Sequence, residues 1–302
     1  FTNGSIHGGE DGPSIFCLQK LVEVADYNMD VRPRLVWTQI WEILGDFFSR
    51  VGCHRNSMVS VFAIDSLKQL SSKFLEKPEL SEFHFQRIFL RPFLSIHQNP
   101  DTRQDIRELI LECVAQIVDR KAHNLQSGWK IFFDIVMMSA SNENDKIILR
   151  ALNLLQKMLD EHLEKLTRLS EVNPELTDTD EMSAIEKRNR NSNAEDFIGM
   201  VKTSLSFVQM RDDDSPTPLG VSMRALCHMA IYADLIADGR ILPPVTGIQV
   251  SDPTVCGYTY DGLDSHEARE MALWRPIFEG LANGIRSPSK NRTGGIGCLV
   301  QR

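Results

Sequence analysis

An aromatic pattern that repeats along the chain constrains its fold more than any other feature. In each copy an aromatic residue is followed by apolar residues three, four and seven positions later, which lie on one face of an α-helix. The complete copies are Trp37, Ile40, Trp41 and Leu44; Trp129, Phe132, Phe133 and Val136; and Trp274, Ile277, Phe278 and Leu281. A partial copy consists of Phe85, Ile88 and Phe89. The copies that begin at 37, 85 and 129 are 48 and 44 residues apart, close to the roughly 40–47 residues of HEAT and armadillo repeats.

A second kind of helix follows each of the first three copies. Its apolar face carries small and aliphatic residues: Val61, Ile64, Leu67 and Leu70; Ile106, Leu109, Ile110, Cys113 and Ile117; Ile148, Leu152, Leu155 and Leu159. One helix pair cannot bury both of its stripes alone, so the pairs are expected to stack. The sequence therefore predicts an all-α fold, an armadillo/HEAT-like α-solenoid of stacked antiparallel helix pairs. We expect the tryptophan and phenylalanine stripes to form its core rather than a ligand pocket.

The periodicity predicts helices at about 14–28, 34–51, 56–76, 83–97, 102–121, 127–140, 143–166, 194–210, 216–238 and 265–286. Short polar turns join most of the early ones, which favours antiparallel neighbours.

The chain is expected to divide into four parts. Residues 1–13 are Gly-rich and predict a flexible flank, and residues 14–166 form a first unit of helical repeats. Residues 167–193 are charged and poor in large apolar groups, which predicts a disordered linker. Residues 194–302 contain further helical repeats, interrupted by a long surface loop at 239–264. Both ends resemble cuts, so we expect a segment of a longer protein.

No catalytic, cofactor-binding or metal-binding residue is predicted. The chain contains no G-x-x-x-x-G-K-[ST], H-E-x-x-H or G-x-S-x-G motif, which are signatures of phosphate-binding, zinc-protease and hydrolase sites. Cys53–His54 and Cys227–His228 are adjacent pairs without a second pair at zinc spacing. The net charge of −8 argues against nucleic acid as the partner, and no run of about 18 apolar residues is present to span a membrane.

A polar corner between the first two predicted helices is the main candidate site. Asn28, Asp30, Arg32 and Arg34 surround Pro33 within seven positions. One interpretation is a structural clip, in which Asp30 caps the second helix and Arg32 pairs with Asp26 or Asp30. The other is a polar face presented to a partner protein or a neighbouring domain, where arginine is favoured.

A second candidate is a group of basic residues that follows the last helix. Arg286, Lys290 and Arg292 lie there among glycine and serine residues. Cations at this position complement the helix dipole. They also suit an anionic membrane surface, so both interpretations stay open.

Four long segments resemble one known family. LVEVADYNMDVRPRLVWTQIWEILGDFF, VSVFAIDSLKQLSSKFLEKPELSEFHFQRIFLRPF, IRELILECVAQIV and HNLQSGWKIFF occur in this order over about residues 15–165. They resemble the HDS region, for homology downstream of the exchange domain, of the large brefeldin A-inhibited Arf guanine-nucleotide exchange factors of the BIG or Sec-seven type. The later segment MALWRPIFEGLANGIRS is similar to the start of a second HDS unit.

The resemblance implies a regulatory and membrane-recruitment role in Golgi vesicle trafficking. The implied partners are a GTP-bound Arf-family GTPase, the exchange domain of the same polypeptide and an anionic membrane surface. The implied location is cytoplasmic, peripheral on trans-Golgi network or endosomal membranes. The family's exchange domain uses a glutamate finger in a motif like FRLPGEAQ, which this chain lacks, so the segment is expected not to be an enzyme. The alternative is a generic HEAT-type transport adaptor with another protein partner.

Overall fold

The computed structural model describes residues 15–79, 84–166, 184–208, 220–244 and 266–286. These residues form ten α-helices and one short 3-10 helix, and no strand occurs among them. The helices are α1 (Ile15–Val31), α2 (Arg34–Gly52), α3 (Ser57–Phe74), α4 (Phe85–Gln98), α5 (Gln104–Lys121), α6 (Gly128–Ser139), α7 (Asp145–Leu166), α8 (Ala184–Ser206), α9 (Val221–Ala237) and α10 (His266–Arg286). The predicted all-α class is confirmed.

The chain divides into two compact units, Phe1–Gly128 and Trp129–Arg302. In the first unit each helix packs against the helix two places later: α1 on α3, α2 on α4 and α3 on α5. Polar contacts join equivalent ends of these helices. The Lys73 ammonium of α3 lies 2.8 Å from the Asp26 carboxylate of α1, and Arg103, just before α5, donates to the Ser57 hydroxyl of α3 over 2.9 Å.

These partners are separated by 47 and 46 residues along the chain. Lys121 of α5 and Glu76, just after α3, form a further ion pair with a separation of 45 residues. A near-constant separation between equivalent ends means that stacked helices run parallel, one repeat apart. The connections 53–56 and 99–103 are short, so each consecutive pair turns back on itself. The predicted HEAT-like solenoid packing is therefore confirmed within the first unit.

Aromatic stacking fills the interface between α2 and α4. Trp41 and Phe89 lie with ring centroids 3.8 Å apart, and Phe74 of α3 stacks on the same Phe89 at 4.1 Å. Two glycines let the helices approach. A Cβ on Gly45 would lie 3.2 Å from Pro92 Cγ, and a Cβ on Gly52 would lie 2.9 Å from Ile96 Cγ1.

The predicted stripes are not buried throughout. Val61, Ile88 and Phe278 are exposed, so the expectation that the whole stripe is core is wrong at these positions. On α10 the buried side includes Leu273 and Ile277. Phe278 follows Ile277 by one residue, about 100° further round the helix, and lies off the buried side.

In the second unit, α6 and α7 bury every predicted stripe residue. Helix α8 begins at Ala184 rather than at 194, so the last part of the predicted linker is helical. Arg190 is buried there and donates its Nε–H to the Pro243 carbonyl over 2.7 Å. Ile241 and Pro243 are also buried, so the first part of the predicted surface loop packs against the unit. Residues 167–183 and 245–265 lie outside the described residues.

Within the described ranges, no helix is both long and apolar enough to cross a membrane.

Candidate partner-binding site

The polar corner between α1 and α2 is built differently from the predicted cap. Helix α1 continues to Val31, α2 begins at Arg34, and Pro33 occupies the N-cap position with no side-chain cap. Asp30 therefore lies in the last turn of α1 and does not cap α2. Pro33 suits its position because it has no N–H to satisfy and its φ of −56° is close to the value that its ring imposes.

Asp30 joins α1 to the end of α3. Its carboxylate lies 2.7 Å from Lys73 Nζ and 3.0 Å from Lys77 Nζ, and Lys73 also reaches Asp26. Lys77 donates to the Met29 carbonyl as well. Hydrogen bonds from the two lysines hold the pKa of the Asp30 carboxyl below its ordinary value. Asp26 and Asp30 in turn raise the pKa of Lys73.

The two arginines of the corner have different hydrogen-bond partners. Arg34 donates to the Pro78 carbonyl, a contact that spans 44 residues and closes the corner over the end of α3. Arg32 donates its Nε–H to Asn28 Oδ1 over 3.2 Å, so its predicted pairing with Asp26 or Asp30 is wrong. Asn28 donates to the Val24 carbonyl over 2.8 Å.

The corner therefore separates into two pairs of residues. Asp30 and Arg34 contact the end of α3 and form a clip, which differs from the predicted clip because neither the cap by Asp30 nor the pairing of Arg32 occurs. Among the residues that the structure describes, Asn28 and Arg32 bond only within their own helical turns, and Arg32 is exposed. A partner could bind these two without opening the clip.

Two exposed apolar residues flank these polar groups, and the sequence analysis did not identify them. Val31 ends α1 and Leu35 lies in the first turn of α2, and both are exposed. Apolar side chains beside an exposed arginine are the usual composition of a protein interface. We name Asn28, Val31, Arg32 and Leu35 the corner surface.

The basic group Arg286, Lys290 and Arg292 is not described at the level of side chains. Arg286 is the last residue of α10, but its side chain, Lys290 and Arg292 lie outside the described residues.

A clamp at the start of α4 also escaped the sequence analysis. The buried Gln86 donates from Nε2 to the Asn124 carbonyl over 2.8 Å, and its Oε1 accepts from the N–H groups of Gln126 at 2.8 Å and Gly128 at 3.2 Å. Glu79 accepts from the Ser127 hydroxyl at 2.6 Å. An uncharged polar residue inside the apolar run FQRIF was the available signal, since a buried amide requires partners. The clamp fixes the turn before α6 and is structural.

A buried polar cluster in the second unit joins α7, α8 and α9. Ser204 Oγ lies 3.1 Å from His228 Nδ1 and 2.8 Å from Tyr232 Oη, and His228 Nε2 lies 2.7 Å from Gln156 Oε1. Burial lowers the pKa of His228 to about 4 and raises the pKa of Tyr232. Ser204, His228 and Tyr232 are buried, so a substrate cannot reach the hydroxyl, and the cluster ties helices together.

No group of three metal-ligating side chains occurs in the part of the chain that the structure describes. Cys53 there accepts from Asn99 Nδ2 at 3.3 Å, and Cys227 is exposed.

Comparison with known proteins matches part of the chain to one family. Residues 73–157 match the family model described as Mon2/Sec7/BIG1-like, HDS. The chain is 34% identical over 275 residues to brefeldin A-inhibited guanine nucleotide-exchange protein 1 of Arabidopsis thaliana, an alignment that covers 89% of this chain and 14% of that protein. It is 47% identical over 150 residues to protein 4 of that plant, covering 50% of this chain and 9% of the relative.

Identity to the Homo sapiens protein 1 is 48% over 136 residues, covering 45% of this chain and 7% of the relative. The chain thus spans about a seventh or less of the length of these relatives. Residues 73–157 thus match the Mon2/Sec7/BIG1-like HDS family model, which confirms the resemblance found in the sequence.

Proposed function

We propose that this chain is a non-catalytic regulatory and membrane-recruitment segment of an Arf guanine-nucleotide exchange factor in Golgi vesicle trafficking. The observation that carries the proposal is the match of residues 73–157 to an HDS model, together with relatives whose names are those of guanine nucleotide-exchange proteins. Its partners are a GTP-bound Arf-family GTPase, the exchange domain of the same polypeptide, or both. It acts in the cytoplasm, peripherally on trans-Golgi network or endosomal membranes.

The corner surface is the proposed contact for the GTPase. Arg32 is exposed, and within the described ranges it bonds only to Asn28 on its own side of the corner. A partner can therefore bind Arg32 while the contacts of Asp30 and Arg34 with the end of α3 stay in place. Exposed Val31 and Leu35 beside it would supply the apolar part of a modest interface.

The test immobilises the chain and measures retention of Arf locked in its GTP form and in its GDP form. We expect preferential retention of the GTP form. Arg32→Glu should reduce that retention about tenfold or more, which corresponds to about 1.4 kcal/mol. Arg120→Glu is the matched control, since Arg120 is an exposed arginine on α5, and it should change nothing. Equal retention of both nucleotide forms would contradict GTPase binding and favour the generic HEAT-type adaptor.

Contact with the exchange domain is tested separately. The chain is added in increasing amounts to a nucleotide-exchange assay that contains the isolated exchange domain and Arf. A saturable change in the exchange rate supports the contact. The chain alone should leave the exchange rate at background, because the proposal assigns it no chemistry.

The membrane part of the proposal depends on Arg286, Lys290 and Arg292. Each basic residue near an anionic surface contributes about 1 kcal/mol. We expect co-sedimentation with vesicles that contain phosphatidylserine, and loss of it when all three residues are changed to glutamate. Binding that is insensitive to these three changes and to salt would exclude this basic group as the membrane contact.

A further inference from the structure

Helix α1 has two apolar faces, and only one of them is covered. Leu18, Ala25 and Met29 are buried on the side that packs against α3. Phe16, Val24 and Tyr27 are 65%, 58% and 69% exposed. At about 100° of rotation per residue, the exposed residues lie on nearly the opposite side of the helix from the buried ones.

Helix α2 repeats this arrangement. Trp41, Gly45 and Phe48 lie on its buried side, where α4 approaches. Val36 is 42% exposed and Ile43 is 75% exposed, and they lie two helical turns apart on another face. We name Phe16, Val24, Tyr27, Val36 and Ile43 the end face, because they belong to the first two helices of the stack.

The end face lies where the repeat geometry of the unit would place one more layer. Helix α3 covers one side of α1, where polar contacts join residues 47 and 48 positions apart. Helix α4 covers one side of α2, where Trp41 stacks on Phe89 and Gly45 faces Pro92. The sides left open carry the end face. A helical solenoid that ends in water requires a terminal repeat with a polar outer surface, and this end carries five large apolar residues instead.

The charges around the end face favour a protein over a lipid surface. Helices α1 and α2 with their connection carry five acidic residues and four basic ones: Glu23, Asp26, Asp30, Glu42 and Asp46 against Lys20, Arg32, Arg34 and Arg50. A surface for anionic lipid would need a clear excess of Lys and Arg. The exposed apolar stripes of α1 and α2 each fit a partner helix that carries aliphatic and aromatic residues at spacings of three and four.

We propose that the end face seats a further layer of two helices, one parallel to α1 and one parallel to α2, which continues the solenoid within the same polypeptide. The curated relatives are long enough to contain such a layer, since the chain spans at most 14% of them. The proposal does not depend on GTPase binding.

The test replaces Tyr27 or Ile43, within the full-length polypeptide, by a photoreactive benzoyl-phenylalanine. Irradiation and mass spectrometry of the digest then identify the labelled segments. We expect both probes to label helical segments of the same polypeptide, with position 27 labelling one helix and position 43 its hairpin partner. A probe at Asp119, exposed on α5, is the control and should not label those segments.

Charge substitution gives a second readout. Val24→Lys combined with Ile43→Lys should lower the labelling from position 27 about tenfold, yet leave the thermal unfolding of the isolated chain unchanged because both side chains are exposed. Ala25→Lys, on the buried side of α1, should unfold the first unit. It serves as the reference for a loss of labelling that is caused by a defect in the core.

Labelling of phospholipid, of Arf, or of a second copy distinguished by isotope mixing would overturn the proposal, and so would the absence of any adduct. The Arf retention measured with Arg32→Glu reports on the proposed function alone, so the two failures are distinguishable.

Discussion

Trp41 of α2 lies almost flat on Phe89 of α4, with ring centroids 3.8 Å apart and planes 14° apart. Both side chains are buried, and they begin a stack that continues to Phe74 of α3 at 4.1 Å from Phe89. Phe89 therefore connects its own layer of the solenoid, which contains α4, to the preceding layer, which contains α2 and α3. The stability of the first unit should depend on this stack more than on any ion pair at its surface.

Removing the indole tests that dependence. Trp41→Ala leaves a large cavity and should lower the free energy of unfolding by about 3–5 kcal/mol, measured by urea denaturation. Trp41→Phe should cost clearly less, because it keeps a ring over Phe89. It also removes an indole N–H that has no hydrogen-bond partner among the described residues. Ile88→Ala, at an exposed position of α4, is the control and should change stability little. If Trp41→Ala lowered the free energy of unfolding no more than Ile88→Ala does, the stack would not contribute to stability as proposed.

The period of the repeat and the buried aromatic positions could be predicted from the sequence because both depend on local helical spacing. The exposed Phe278 and Ile88 could not, because spacing places a residue on a face but does not say which faces are covered by neighbours. Arg190 escaped for a related reason. A charged stretch usually predicts a solvated segment. The guanidinium of Arg190 instead donates to the Pro243 carbonyl, which is distant in sequence.

Gly52 should be intolerant of a methyl group. Its Cβ would lie 2.9 Å from Ile96 Cγ1 and closer still to Cδ1, and overpacking of this kind costs about 1–3 kcal/mol. Alanine gains at most about 1 kcal/mol of helix propensity over glycine, so Gly52→Ala should be destabilising. Gly45→Ala, whose Cβ would lie 3.2 Å from Pro92 Cγ, should be closer to neutral.

Shortening the opposing side chain should rescue the defect. Ile96→Val removes Cδ1, so Gly52→Ala with Ile96→Val should be more stable than the sum of the two single changes in a double-mutant cycle. Additive effects would mean that Ile96 is not the limiting contact.

Gln86 should be required for the turn that precedes α6. Gln86→Leu leaves the N–H groups of Gln126 and Gly128 and the Asn124 carbonyl without their partner. A fully buried unsatisfied group costs about 1–3 kcal/mol, but only Gly128 is buried, and water can reach the exposed Gln126 and the half-buried Asn124. We expect a loss of about 1–3 kcal/mol and faster amide hydrogen exchange at Gln126 and Gly128. Gln69→Leu, at an exposed position of α3, should produce neither effect.

The corner shows which part of a site the sequence can predict. Its four polar residues were identified from their density alone, but the lysines that hold Asp30 lie more than forty residues away. A pattern within seven positions cannot reveal them. The apolar members of the corner surface were missed because a hydrophobic residue at helical spacing predicts burial, and the exposure of Val31 and Leu35 depends on what packs beside them.

The buried His228 should make the second unit sensitive to acid. Burial lowers its pKa to about 4, whereas in the unfolded chain it titrates near the ordinary value of about 6.5. Between these two values the unfolded state binds one proton more, so stability is fully present above about pH 6.5 and falls as the pH drops toward 4. A difference of this size corresponds to a loss of up to about 3 kcal/mol.

An NMR titration of the imidazole gives the pKa directly, and unfolding measured from pH 7 to 4.5 gives the slope. His228→Gln should flatten the pH dependence of the second unit by about one proton. His97 provides an internal comparison in the first unit, since burial, with a contribution from Arg107, lowers its pKa to about 4 as well. The NMR titration of the His97 imidazole should be unaffected by His228→Gln. A His228 signal that titrates near 6.5 in the folded protein would mean that water reaches the cluster with Ser204 and Gln156.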